Sequence, residues 1–177
     1  MKRIVLILLL FLAVIFQTAV FPNFSIWGIF PNIMLIIIAS FCFSKNYLEA
    51  SIWAVAGGLL LDINSAKSFG LTAISLMAAV IVIYFISESL DFVGIYAKTL
   101  LAIAASLVYF VAMIIFSLLF DLINLSDNLL YINMRMLFII FFSTVINVVI
   151  IVLIYPFVDL FNKWLVKVER RLETKLL

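Results

Sequence analysis

The chain has 177 residues, 68% of them apolar and 11% charged, with a net charge of +2, no histidine and one cysteine. This inventory excludes metal sites built on imidazole or paired thiolates, Ser-His-Asp or Cys-His catalysis, and a disulfide framework. It leaves no polar stretch long enough for a soluble catalytic domain, and its only basic cluster, at the C-terminal end, is no footprint for nucleic acid.

The charges are unevenly placed. None falls between Arg3 and Lys45, and later charge-free windows cover 68–87, 99–120 and 136–158, lengths of 20, 22 and 23 residues. Each matches the roughly 20 apolar residues a helix needs to cross a hydrocarbon core. An all-α, polytopic membrane protein forming one domain over 1–177 is therefore expected.

In chain order, Met1-Lys2-Arg3 and the apolar run from Ile4 resemble a signal peptide. Bulky residues continue to Phe21 with no small-x-small cleavage site, so the run reads as an uncleaved first span, 4–21, ended by Pro22. The segment from Pro22 to Pro31 carries Phe24, Trp27 and Phe30 and suits the headgroup level. The second run, 33–43, is short for a span, which implies tilt, thinned bilayer or partial re-entry. Spans three to six are expected at about 48–63, 69–87, 99–120 and 136–158, followed by a tail over 159–177. There is no inverted internal repeat of the kind found in many transporters.

With six spans and both termini inside, Lys2, Arg3, Lys45, Lys98, Lys163, Lys167, Arg170, Arg171 and Lys175 face the cytoplasm, against Lys67 and Arg135 outside. Merging runs two and three strands Lys45 and moves the basic tail outside. The six-span arrangement is thus preferred.

Among candidate functional residues, Asp62 stands near the end of the third run, where an ionisable group is costly unless something pairs with it. Ala50, Ala54, Gly58 and Asp62 recur every four residues with Gly57 adjacent, a stripe of small residues that lets another helix backbone come close. Asp62 either caps the Asn64-Ser65 turn or serves helix pairing or a partner. In the sixth span, Ser143, Thr144 and Asn147 read as hydrogen-bonding glue between helices; Gln17 and Thr18 are weaker versions of the same thing. The tail sets Phe161, Trp164, Leu165 and Val168 at spacings of three and four against Lys163, Lys167, Arg170 and Arg171. Such a basic amphipathic helix anchors on an anionic leaflet or docks a cytoplasmic partner.

Two stretches carry a family resemblance: Phe30-Pro31-Asn32-Ile33-Met34-Leu35-Ile36, and Gly57-Gly58-Leu59-Leu60-Leu61-Asp62 continuing through Ser65 to Phe69-Gly70-Leu71-Thr72-Ala73. With the N-terminal span and the basic end they resemble the bacterial rod shape-determining protein MreD. The resemblance implies a non-catalytic, cofactor-free protein of the inner membrane. It would bind MreC and act, directly or indirectly, with MreB, RodZ, RodA and a class B penicillin-binding transpeptidase in lateral peptidoglycan synthesis; a homo-oligomer is compatible with it. It also implies a six-helix fold similar to the substrate-binding subunits of energy-coupling-factor transporters, hence the alternative of a vitamin-capture subunit. Such a subunit needs an outward-facing pocket with convergent polar groups. The sequence offers only scattered Asn, Ser, Thr and Gln there, which favours the scaffold.

Overall fold

A computed structural model describes residues 2–25, 28–65, 68–89, 95–122 and 134–173. Trp27, Lys67, Asp91 and the segment 123–133, which figure in the loop assignments above, lie outside them, as does 174–177. Among the described residues six α-helices follow one another: α1 (Lys2–Ile15), α2 (Ile33–Phe43), α3 (Tyr47–Ile63), α4 (Leu71–Ser89), α5 (Ile95–Leu122) and α6 (Met134–Glu173). Four helical stretches, Ile4–Phe24, Leu71–Glu88, Tyr96–Phe120 and Leu137–Phe157, are long and apolar enough to cross a membrane. The protein is therefore an all-helical membrane protein among its described residues.

The first stretch does not stop at Pro22. After α1 the chain widens into a π-helix over Phe16–Val20 and then tightens into a 3-10 helix over Phe21–Phe24, with Pro22 in the first turn of the latter. There a missing backbone N–H costs nothing, because first-turn amides have no partner within the helix. The coil so reaches three residues past the expected end.

The eleven residues of α2 rise only about 16 Å. Its sequence, IMLIIIASFCF, is apolar or small on every side, the pattern of a helix enclosed by others. Met34, Leu35, Ile36, Ile38, Ala39, Ser40, Phe41 and Cys42 are all buried, and the helix packs on α3, α6, α4, α5 and α1. Its short length is thus matched to a place at the centre of the bundle. The core around it draws Leu10 and Val14 from α1, Ala50 and Trp53 from α3, Leu76 and Ile83 from α4, Ala102 and Ala105 from α5 and Ile151 from α6.

A tight turn joins α2 to α3. Asn46 N–H donates to the Phe41 carbonyl at 2.9 Å and Lys45 N–H to that of Cys42 at 2.9 Å, closing α2 with Lys45 in the left-handed region at φ 56°. A short connection of this kind makes the two helices antiparallel neighbours.

The outer surfaces are apolar. Ile4, Leu8 and Phe11 on α1, Leu100 and Val111 on α5, and Phe141, Val149 and Leu153 on α6 are exposed, as helices facing lipid should be. The sixth span and the tail form one helix of 40 residues, with Pro156 inside it and no break at 158–159. Lys163, Trp164, Lys167, Arg170 and Arg171 lie on this continuous helix; their side chains fall outside the described set.

Candidate functional site

The ends of α1 and α3, the beginnings of α2 and α4, and facing segments of α5 and α6 meet at one end of the bundle. Their polar side chains are tied to backbone amides that the helices themselves leave unpaired. The start of α2 shows this most fully. Asn32 caps it, its Oδ1 accepting from Leu35 N–H at 3.1 Å. Asn32 N–H donates to Asn147 Oδ1 on α6 at 2.8 Å, and Ile33 N–H donates to Gln17 Oε1, at the end of the first span, at 2.7 Å. Three amides of one helix start are therefore satisfied by side chains, two of them from other helices. Buried Tyr109 on α5 lies close to the Asn32 side chain.

Asp62 does the same for α4. Its carboxylate is buried, and both oxygens accept from Thr72 N–H at 3.1 Å. A negative group at the positive end of a helix dipole is favourable, and this one completes the first turn of α4 from outside its own helix. The Asp62 backbone carbonyl separately accepts from Ser65 N–H at 3.1 Å and Ser65 Oγ at 3.3 Å, so the following turn is held by main chain while the side chain reaches ten residues on. Gly70, at φ +90°, supplies the left-handed step that brings Thr72 into place.

The small stripe serves the same contact. A Cβ on Gly58 would run into the Cα of Ala73 and lie 2.7 Å from its backbone N, so only glycine admits the start of α4 here. A Cβ on Gly57 would meet the Met34 side chain of α2, whose flexible end can move. Ala50 and Ala54 are fully buried beside them. The structure thus gathers Ala50, Ala54, Gly57, Gly58 and Asp62 into contacts within the chain, with α3 wedged between α2 and α4.

Between these elements lies a chamber of about 430 Å³. Gln17 and Thr18 line it from the first span, Asn32 from α2, Asn64 and Ser65 from the end of α3, Thr72 from α4, Tyr109 and Met113 from α5, and Ser143 and Asn147 from α6. The polar residues that look scattered in the sequence converge on one cavity, because antiparallel helices bring their same-side ends together. This corrects the expectation that these Asn, Ser, Thr and Gln residues are merely scattered. Asn147 is fully buried, and its Nδ2 has no hydrogen-bond partner among the described residues. Of the α6 residues read as intramembrane glue, Asn147 makes the bond to another helix, whereas Thr144 Oγ1 is buried without a partner among the described residues; Tyr109, Thr72 and Asn32 carry no periodic signal that marks them as chamber walls.

The opposite end is built differently. Phe43 packs edge-on against Tyr155 at 5.7 Å, Tyr47 against Tyr84 at 5.0 Å, and Lys98 Nζ sits 3.8 Å above the Tyr155 ring. These are ring contacts between the ends of α2, α4 and the membrane part of α6 and the starts of α3 and α5. No family model matches the chain, and no curated protein or solved structure matches it either.

Proposed function

We propose that this chain is a non-catalytic membrane scaffold of the cell-elongation machinery, binding MreC and helping to organise lateral peptidoglycan synthesis with RodA, a class B penicillin-binding transpeptidase, RodZ and MreB. It would cross the bacterial inner membrane six times with both termini cytoplasmic, the aromatic end with Lys45 and Lys98 facing in and the chamber facing out. One observation carries the reading. The residues that bear the resemblance to MreD, Asn32, Gly58, Asp62, Gly70 and Thr72, are those that lock the helix ends around the chamber. A motif spent on holding a bundle in one shape suits a protein whose work is to present surfaces to partners. Depletion in a rod-shaped host should give round, wide cells, and affinity purification from native membrane should recover MreC. Normal shape with no MreC recovered would overturn it.

A second reading, a substrate-capture subunit of a vitamin transporter, is favoured by the chamber itself, whose convergent polar lining is what such a subunit needs. Recovery of an ATPase-bearing module together with lost uptake of a labelled vitamin would select it.

A further inference from the structure

The chamber has features that the scaffold reading does not use. Its volume is large enough for a hexose-sized group. The described residues lining it include no Lys, Arg, Asp or Glu, only amides, hydroxyls and apolar side chains. The nearby Asp62 carboxylate is engaged with Thr72 N–H. A charged ligand would sit there unpaired against desolvated walls, which is costly; an uncharged group with several oxygens would be matched. Among the described residues the buried Asn147 Nδ2 finds no acceptor, and its Oδ1 is fixed by Asn32 N–H, so the amide cannot flip to relieve it without losing that bond.

A second cavity indicates how such a group is delivered. An apolar groove of about 310 Å³ runs between α1, α2 and α3, lined by Leu6, Leu9, Leu12, Phe16, Ile37 and Trp53, with Ile33 at its edge. Phe16 and Ile33 in the groove are the sequence neighbours of Gln17 and Asn32 in the chamber, and Ile33 N–H is bonded to Gln17 Oε1, so the two cavities flank the same seam between α1 and α2. From Leu6 to Phe16 the helix rises about 15 Å, room for most of an acyl chain lying along it. The π-helix that begins at Phe16 falls on this junction.

We propose that the chamber and groove together bind one lipid with an uncharged, hydroxyl- and carbonyl-bearing headgroup: the headgroup in the chamber beside Asn147, the acyl chain in the groove. The full chain in detergent would be mixed with monoglucosyl diacylglycerol, with phosphatidylglycerol of the same acyl chains, or with free methyl glucoside, and followed by native mass spectrometry and by unfolding midpoint. The neutral glycolipid should remain bound and raise the midpoint, while the other two should not. Ser143→Phe, which fills the chamber, should weaken glycolipid binding about tenfold or more, a loss of roughly 1.4 kcal/mol. Val145→Phe, on the exposed side of the same helix, should leave binding unchanged. Should Ser143→Phe not fold, Met113→Trp fills the chamber from α5. Equal retention of the anionic lipid, equal binding by the chamber-filling variant, or no retention of the glycolipid would each overturn the proposal. Binding of methyl glucoside alone would overturn the lipid and leave a soluble-ligand pocket. Loss of MreC from purifications with lipid binding intact would count against the scaffold only.

Discussion

The two ends of the bundle are held by different forces. At the chamber end the contacts are directional bonds between residues far apart in sequence: Asn147 to Asn32, Gln17 to Ile33, Asp62 to Thr72. At the other end the contacts between helices include aromatic edges and a cation over a ring. In lipid, helices gain little by burying apolar surface against each other, so close packing and hydrogen bonds must decide their register. A hydrogen bond between fixed backbone and a short side chain tolerates little sliding. Ring contacts tolerate more, since tilted and edge-on arrangements are nearly equal in energy. The polar end therefore sets the helix register and the aromatic end follows it.

Substitutions rank accordingly. The largest loss is expected for Gly58→Leu, which forces α3 away from Ala73 and should cost about 3 kcal/mol or more, read as a lower unfolding midpoint in detergent. Leu59→Ala should cost clearly less, and Gly57→Ala little, because the Met34 side chain in its way is flexible. Equal tolerance of Gly58→Leu and Leu59→Ala would mean that the α3–α4 contact does not hold this end together.

Asn147→Leu comes next. It strands the buried Asn32 N–H, a cost of about 2 kcal/mol, and should speed hydrogen exchange at the start of α2. Unchanged exchange there would show that the start of α2 does not depend on α6.

For Asp62, replacement by Leu removes both the acceptor and the charge and should cost about 1–2 kcal/mol, whereas Asn keeps one acceptor for Thr72 N–H and should cost less than half of that. If Asn proved as damaging as Leu in unfolding midpoint, the charge itself would be required.

The smallest effect is expected at the other end, where Lys98→Met removes the cation over Tyr155 for about 0.5–1 kcal/mol. A loss there exceeding that of Asn147→Leu would invert the comparison between the two ends.

Charge-free windows and hydropathy fix, from the sequence alone, that this is a helical membrane protein, and locate its long helices to within a few residues, because lipid permits few solutions for an apolar chain. The spacing of Ala50, Ala54 and Gly58 marks a close approach, since only small residues every four positions keep one helix face flat. What approaches is not written there: the tertiary structure brings Ala73 to Gly58, and turns Asp62 from its own turn toward Thr72. The placement of α2 at the centre also depends on its neighbours rather than on local propensity. The chamber belongs wholly to the tertiary level. Gln17, Asn32, Thr72, Tyr109 and Asn147 share no period, and they become one lining only because the helices are packed together, which no single stretch of sequence encodes.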